Sequence, residues 1–155
     1  MNLEQYFRVG ETITIGSHTF QPDEIIAFAK KFDPQPFHLS EDLAKNSVFG
    51  ALCASGWHTA STWMKYNVRA GLFAGDTWGG DGPAPAVGAS PGFKNLKWLK
   101  PVFAGETITY TRQVTSVRPS ASRPGFYVMT IVGEGHDSKG DKVIEFENGV
   151  VVKAG

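Results

Sequence analysis

The sequence predicts an α+β domain in which a long antiparallel sheet packs against one main helix, at residues 54–70. The C-terminal half carries runs of alternating apolar and polar residues that turn residues separate, and this spacing predicts a meander of long strands. Residues 54–70 instead repeat their apolar side chains at helical spacing. No internal repeat or change in composition indicates a second domain, so we expect residues 1–155 to form a single domain.

The composition is that of an ordinary globular protein. The chain has 155 residues, 41% of them hydrophobic, and 15 basic residues balance 15 acidic ones. This balance gives no broad attraction to nucleic acid or to an acidic membrane. A single cysteine excludes an internal disulfide, and no apolar run is long enough for a signal peptide or a membrane span. We therefore expect a cytoplasmic protein with neither nucleic acid nor membrane as a partner.

The N-terminal part predicts a short strand and a helix. Residues 11–15 alternate polar and β-branched side chains, which predicts a strand, and residues 16–18 predict a turn with His18 facing solvent. Pro22 suits the first position of a helix. That helix should end near Asp33, because a residue that precedes proline is disfavoured in the α region.

The middle of the chain predicts rigid loop followed by helix. Pro34 and Pro36 should stiffen a non-helical stretch, and Ser40 is a plausible N-cap for a short helix. In the main helix, one face carries Trp57, Ala60, Ser61, Met64 and Val68.

Residues 75–92 contain six glycines and three prolines and predict a long irregular loop, of the kind that serves as a lid or an interface arm. Trp78 is the only large side chain in that loop. The predicted strands that follow are residues 93–100, 106–117, 125–136 and 141–153.

Asp33 and His38 are the candidate catalytic pair. They lie five positions apart around two prolines, so one rigid loop could direct both side chains toward one volume. A carboxylate beside an imidazole can hold a water molecule between them and exchange a proton with it. The alternative is structural, with Asp33 ending a helix and His38 making an internal hydrogen bond.

Gly56 is the candidate for stabilising an oxyanion. A glycine in the first turn of a helix presents an N–H that has no partner within the helix, and the helix dipole favours negative charge there. The alternative is that Gly56 only permits close packing between the helix and the sheet.

The remaining reactive or charged side chains are better explained by structural roles. Cys53 among small and apolar neighbours is better explained as a packed thiol than as a nucleophile, and His58 as structural rather than catalytic. These residues have no recognisable metal-ligand spacing, and no phosphate-binding glycine motif is present. Lysines at 94, 97 and 100 fit a protected sheet edge better than a phosphate site.

Taken together, these motifs resemble the MaoC-like dehydratase family, which includes the (R)-specific enoyl-CoA hydratases. The family's hydratase motif, an acid followed by a proline-containing spacer and a histidine, stands here as residues 33–38. A Phe-Gly element follows at 49–50, and a small-residue turn enters the central helix at 54–57. The family's Pro-Val-Phe strand entry stands at residues 100–108. The resemblance covers most of the chain.

The resemblance implies a hot-dog fold, with a sheet wrapped around the central helix, and a homodimer or an assembly of dimers. It implies that Asp33 and His38 activate water and that the N–H of Gly56 polarises a thioester carbonyl. The implied reaction is reversible hydration of a trans-2-enoyl thioester, whose carrier is CoA or an acyl-carrier protein. We expect neither a cofactor nor a metal. Ser55, Gln35 and Phe37 are the further residues expected at the oxyanion and substrate site.

Two departures from the family pattern concern substrate choice. Gln35 stands where the family has asparagine, and Phe37 replaces an aliphatic residue, which suggests a differently shaped acyl pocket. Two other functions stay open from the sequence: a hot-dog thioesterase, and a non-catalytic subunit that binds acyl thioesters.

Overall fold

The computed structural model describes residues 1–71 and 77–155. Five helices lie in these ranges: α1 (Leu3–Tyr6), α2 (Pro22–Phe32), α3 (Pro36–Leu39), α4 (Glu41–Lys45) and α5 (Gly56–Arg69). Six strands lie there too: β1 (Thr12–Thr19), β2 (Ala86–Val87), β3 (Gly92–Trp98), β4 (Thr107–Pro119), β5 (Phe126–His136) and β6 (Lys142–Lys153). None of these helices is both long enough and apolar enough to cross a membrane.

The strands form one antiparallel sheet that curls around α5. Its order is β1-β4-β5-β6-β2, and β3 also pairs with β6. The α+β prediction and the hot-dog expectation are confirmed. The predicted positions of α2, α5 and β3 to β6 agree with the structure to within a few residues.

The contact between α5 and the sheet depends on a glycine and a tryptophan. Trp63 is fully buried, meets the ring of Phe146 edge-on at 4.7 Å, and donates its indole N–H to the carbonyl of Thr111 at 2.9 Å. A Cβ added at Gly133 on β5 would lie 2.7 Å from the Trp63 ring. The sheet therefore has no side chain at the point where the helix rests on it.

The face of α5 that turns inward is the polar one. Its buried residues are His58, Thr59, Thr62, Trp63 and Asn67. Buried hydroxyls are tolerated because they bond within the helix; Thr62, for example, donates to the carbonyl of His58 at 2.8 Å. Along the opposite face, Trp57, Met64 and Val68 are 52%, 42% and 62% exposed. The apolar face that the sequence singles out is therefore directed away from the core.

The predicted turn at residues 16–18 is wrong, because β1 continues through it to Thr19. Gly16 lies at a register shift in the pairing with β4, and a Cβ there would lie 2.3 Å from the Tyr66 ring. The glycine therefore allows close approach rather than chain reversal. His18 is half-buried, not solvent-facing, and hydrogen-bonds to Tyr66 (3.0 Å) and Glu24 (2.6 Å).

The predicted loop of residues 75–92 is partly strand. Residues 75 and 76 lie outside the described part of the chain. Ala86–Val87 pair with the end of β6, and β3 begins at Gly92. Trp78 packs edge-on against Tyr6 at 5.3 Å, so this segment joins the sheet edge to α1.

His58 is held between aromatic rings on the inner side of α5. It stacks on Phe28 at 4.5 Å and meets Phe20 edge-on at 5.0 Å. Its Nδ1 is buried and makes no hydrogen bond to the described residues. Burial lowers its pKa from 6.5 to about 4, because the charged imidazolium would lose its hydration there; Glu24 opposes this shift and His18 and Lys65 add to it. The structural interpretation of His58 is thus supported.

We expect His58 to make the fold sensitive to acid. Between pH 6.5 and about 4 the unfolded chain takes up a proton at His58 that the folded chain refuses. The free energy of unfolding should therefore fall as the pH falls through this window, by up to about 3 kcal/mol from this residue. In urea denaturation at several pH values, His58→Phe should lose less stability across the window than wild type. Parallel curves for the two proteins would contradict the assignment.

Candidate active site

Asp33 and His38 meet at the junction of α2 and α3. Asp33 follows the last residue of α2, and His38 lies on α3. The prediction that this stretch is too rich in proline for a helix is wrong. Pro36 is the first residue of α3, where a missing N–H costs nothing and the fixed φ of proline suits the helix. One helical turn directs His38 inward, and its side chain is buried.

The imidazole of His38 is fixed by a backbone carbonyl. Its Nδ1 lies 2.6 Å from the carbonyl oxygen of Cys53. Because a carbonyl can only accept, Nδ1 must carry the proton, and the lone pair of the neutral ring is on Nε2. Nε2 lies 3.4 Å from Oδ2 of Asp33. The structure therefore brings the two candidate catalytic residues together, with the basic nitrogen facing the carboxylate.

The carboxylate of Asp33 accepts one hydrogen bond on each oxygen. Ser55 Oγ donates to Oδ2 at 2.7 Å, and Gln35 Nε2 donates to Oδ1 at 2.7 Å. Burial alone would raise the pKa of Asp33, but the hydrogen bonds from Ser55 and Gln35 and the nearby His38 outweigh it and hold the pKa below its usual value. Asp33 is therefore an anion at neutral pH.

Gly56 begins α5 at the edge of the same site. Its N–H has no acceptor among the described residues, and Ser55, which occupies the N-cap position, makes no side-chain cap. The carbonyl of Gly56 accepts from the indole N–H of Trp98 at 2.8 Å, and a Cβ on Gly56 would lie 2.5 Å from that ring. Gly56 therefore does permit close packing against the sheet. Its N–H, which has no acceptor among the described residues, is also available to a ligand.

Asp33, His38 and Gly56 line a cavity of about 410 Å³. Its lining consists of Asp33, Gln35, Phe37, His38, Phe49, Cys53, Ala54, Gly56, Trp57, Trp98, Leu99, Lys100 and Pro101. Sequence reasoning did not assign Trp98 or Leu99 to the site; the small residues at the start of the main helix were the signal that something large packs there. A second cavity of about 350 Å³, mostly apolar, lies along α5 and shares Trp57 as a wall.

Cys53 contributes its backbone rather than its thiol. The thiol is buried, and burial together with the charge of Asp33 raises its pKa to about 11. Its Sγ lies 3.7 Å from His38 Nδ1, a nitrogen that already donates to the Cys53 carbonyl. A thiol that stays protonated is a poor nucleophile, so the packed-thiol interpretation is supported.

The lysines in and just after β3 are paired with acids. Lys94 and Lys97 lie 3.7 and 3.9 Å from Glu147 and Glu145 on β6. Lys100 contacts both Asp137 and Asp141 at 3.0 Å. These pairs favour the interpretation of a protected edge over a phosphate site. Across residues 1–71 and 77–155, no three His, Cys, Asp or Glu side chains are placed to hold a metal ion.

Comparison with known proteins relates most of the chain to one family. The sequence profile described as "MaoC like domain" matches residues 3–132. The solved structure of a MaoC-like dehydratase from Rhodospirillum rubrum is 33% identical, with a TM-score of 0.80, over 95% of this chain and 93% of that one. The uncharacterised protein YdeM of Bacillus subtilis (strain 168) is 26% identical over 99% of both chains.

A more distant structure shares the fold. The (R)-hydratase from A. caviae involved in PHA biosynthesis is 24% identical, with a TM-score of 0.66, over 95% of this chain and 96% of that one. At this identity the likeness concerns the architecture alone. The profile match and the Rhodospirillum rubrum structure carry the assignment: the chain belongs to the MaoC-like family, and its curled antiparallel sheet around α5 is the hot-dog fold.

Proposed function

We propose that the protein catalyses the reversible hydration of a trans-2-enoyl thioester of coenzyme A to the (R)-3-hydroxyacyl thioester. The observation that carries this proposal is the 3.4 Å approach of His38 Nε2 to Asp33 Oδ2 in a cavity at the start of α5. Membership of the MaoC-like family and the fold shared with an (R)-hydratase support the reaction class.

In the proposed mechanism, His38 and Asp33 bind the reacting water between them. The hydrogen bond from Nδ1 to the Cys53 carbonyl leaves Nε2 as the atom that can take a proton. The water loses this proton to Nε2 as its oxygen bonds to C3 of the enoyl group. The imidazolium then returns the proton to C2, so that H and OH are added and no outside acid or base is consumed. Asp33, as an anion, stabilises the imidazolium between the two steps.

The N–H of Gly56 is the proposed donor to the thioester carbonyl. Addition at C3 moves negative charge onto that oxygen, and an oriented backbone donor at the start of a helix of 14 residues lowers its energy. The free N–H and the position of Gly56 in the cavity wall support this role. Phe37, whose ring meets that of Phe49 edge-on at 5.0 Å, is proposed to shape the acyl end of the cavity.

A second copy of the chain is the proposed partner. Trp57, Met64 and Val68 expose an apolar face on α5, and Phe93 and Trp98 on β3 are also exposed. Several exposed apolar side chains on one face are typical of an interface. A homodimer would bury it and would place the substrate entrance near the subunit boundary.

The proposed reaction can be tested directly. Purified protein should remove the enoyl-thioester absorbance of crotonyl-CoA. Asp33→Asn and His38→Ala should each lower kcat by at least about a hundredfold, because each removes a group that contacts the reacting water. Asp23→Asn, an exposed carboxylate on α2, is the matched control and should react at the wild-type rate.

Three outcomes would count against this assignment. If the variant at Asp33 or His38 keeps near-normal turnover, that residue does not take part in the mechanism. Release of free thiol without hydration would indicate a thioesterase instead. Tight binding of acyl-CoA without turnover, over short and medium chains, would indicate a binding subunit.

A separate prediction concerns assembly. Light scattering after size exclusion should give twice the 16.8 kDa of one chain. Val68→Lys should shift the mass toward the monomer, because it places a charge in the proposed apolar contact. Leu43→Lys, an equally exposed apolar residue on α4, is the control and should leave the mass unchanged. A monomeric wild-type protein would contradict the proposed partner.

A further inference from the structure

Two residues expected to bind substrate are directed instead at Asp33. Ser55 is completely buried, and its hydroxyl donates to Oδ2, across 22 positions of sequence. Gln35 lies on the exposed rim and donates to Oδ1. We propose that Ser55 and Gln35 are positioning residues, which hold the Asp33 carboxylate by one oxygen each so that it orients the water and His38 while His38 alone takes the proton. The roles in this inference rest on the proposed function.

The N-cap residues of α3, α4 and α5 support this interpretation. Ser55 is the N-cap residue of α5, where serine normally accepts a hydrogen bond from a backbone N–H of the first turn. Gln35 is the N-cap residue of α3. Neither side chain makes the capping bond. At Ser40, by contrast, the hydroxyl does cap its helix by accepting from the N–H of Leu43 at 3.3 Å. The helices α3 and α5 therefore each direct the N-cap side chain toward Asp33.

The two contacts leave Asp33 suited to one task. Each carboxylate oxygen has two lone pairs, and each has already accepted one charge-assisted bond of 2.7 Å. The remaining lone pairs can accept from the water and from the imidazolium. Protonation of either oxygen would oppose these bonds, which is why they lower the pKa of Asp33. Within the described residues, Nε2 of His38 makes no hydrogen bond of this kind, and it lies 3.4 Å from Oδ2.

The hydrogen bond from Ser55 should hold Asp33 more strongly than the one from Gln35. Its hydroxyl is buried, so water cannot replace it if it is removed, whereas Gln35 is exposed and its bond competes with solvent. The variants are Ser55→Ala, which removes the donor with little change of volume, and Gln35→Met, which keeps the length without the amide. Ser61→Ala is the matched control, because Ser61 is on the same helix and donates only to the carbonyl of His58.

This inference is tested first without substrate. The pKa of Asp33 is measured from its carboxyl ¹³C resonance, which Asp33→Asn identifies by its loss. Loss of a buried bond to a charged group should raise this pKa by about one unit in Ser55→Ala, with a smaller rise in Gln35→Met. Ser61→Ala should leave it unchanged. An unchanged pKa in both variants would overturn the inference. Gln35→Met serves alone if Ser55→Ala does not fold.

Kinetics then separate positioning from substrate binding. Ser55→Ala should lower kcat by about tenfold with little change in KM, since the lost bond orients a catalytic group and contacts no substrate. A raised KM with unchanged kcat would instead make Ser55 a substrate-binding residue and overturn the inference.

The pH profile tests which residue takes the proton. If His38 is the base, the acidic limb of kcat/KM should stay in place in Ser55→Ala although the pKa of Asp33 has risen. A limb that follows Asp33 upward would make Asp33 the base and overturn the division of roles. The carboxyl pKa could shift as expected in a protein that does not hydrate enoyl thioesters. In that case the hydrogen bonds to Asp33 would stand and the proposed function would be wrong.

Discussion

The close approach of α5 to the curled sheet is the constraint on which the rest of the structure depends. At Gly16 and Gly133 a single added carbon would collide with Tyr66 or Trp63. With side chains at these points the helix would have to move outward by roughly the width of a methyl group. Its first residue, Gly56, would then lose its place beside Asp33 and Trp98. The glycines of the sheet therefore position the chemistry at the other end of the helix.

A second set of contacts joins the segment that carries His38 to the segment that precedes α5. The N–H of Cys53 donates to the carbonyl of Phe37 at 3.1 Å, and the ring of His38 donates back to the carbonyl of Cys53. Cys53 also bridges to Phe103, and Ala54 donates to Val102. The short helix α3 is thus tied to a segment that is itself tied to the connection between β3 and β4. This explains why a site on loops and a four-residue helix can be rigid.

Much of this architecture could be predicted from the sequence, because β4, β5 and β6 alternate clearly and turn residues separate them. Which face of α5 points toward the core could not be predicted from the sequence. Apolar periodicity identifies the face that avoids water, and it does not distinguish the protein core from a contact with another chain. Threonine and asparagine on the inner face look solvent-exposed in sequence, yet their polar atoms bond to the helix or to Arg112.

The candidate site was partly predictable for a similar reason. Asp33 and His38 stand out because their chemistry and spacing suit proton transfer. The part played by Ser55 and Gln35 depends on which way two N-cap side chains turn, and residue type alone does not determine that. Two prolines predict a non-helical stretch because proline disfavours the interior of a helix. Proline suits the first position of a helix, however, and Pro36 begins α3.

The bond from the Trp98 indole to the Gly56 carbonyl joins the end of an edge strand to the start of the central helix. A chain that paired with β3 would act on Trp98 and, through this bond, on the residue proposed to hold the thioester oxygen. Catalytic competence would then be a property of the assembled particle. Specific activity per chain would depend on protein concentration, falling on dilution as subunits separate, even while each chain remained folded.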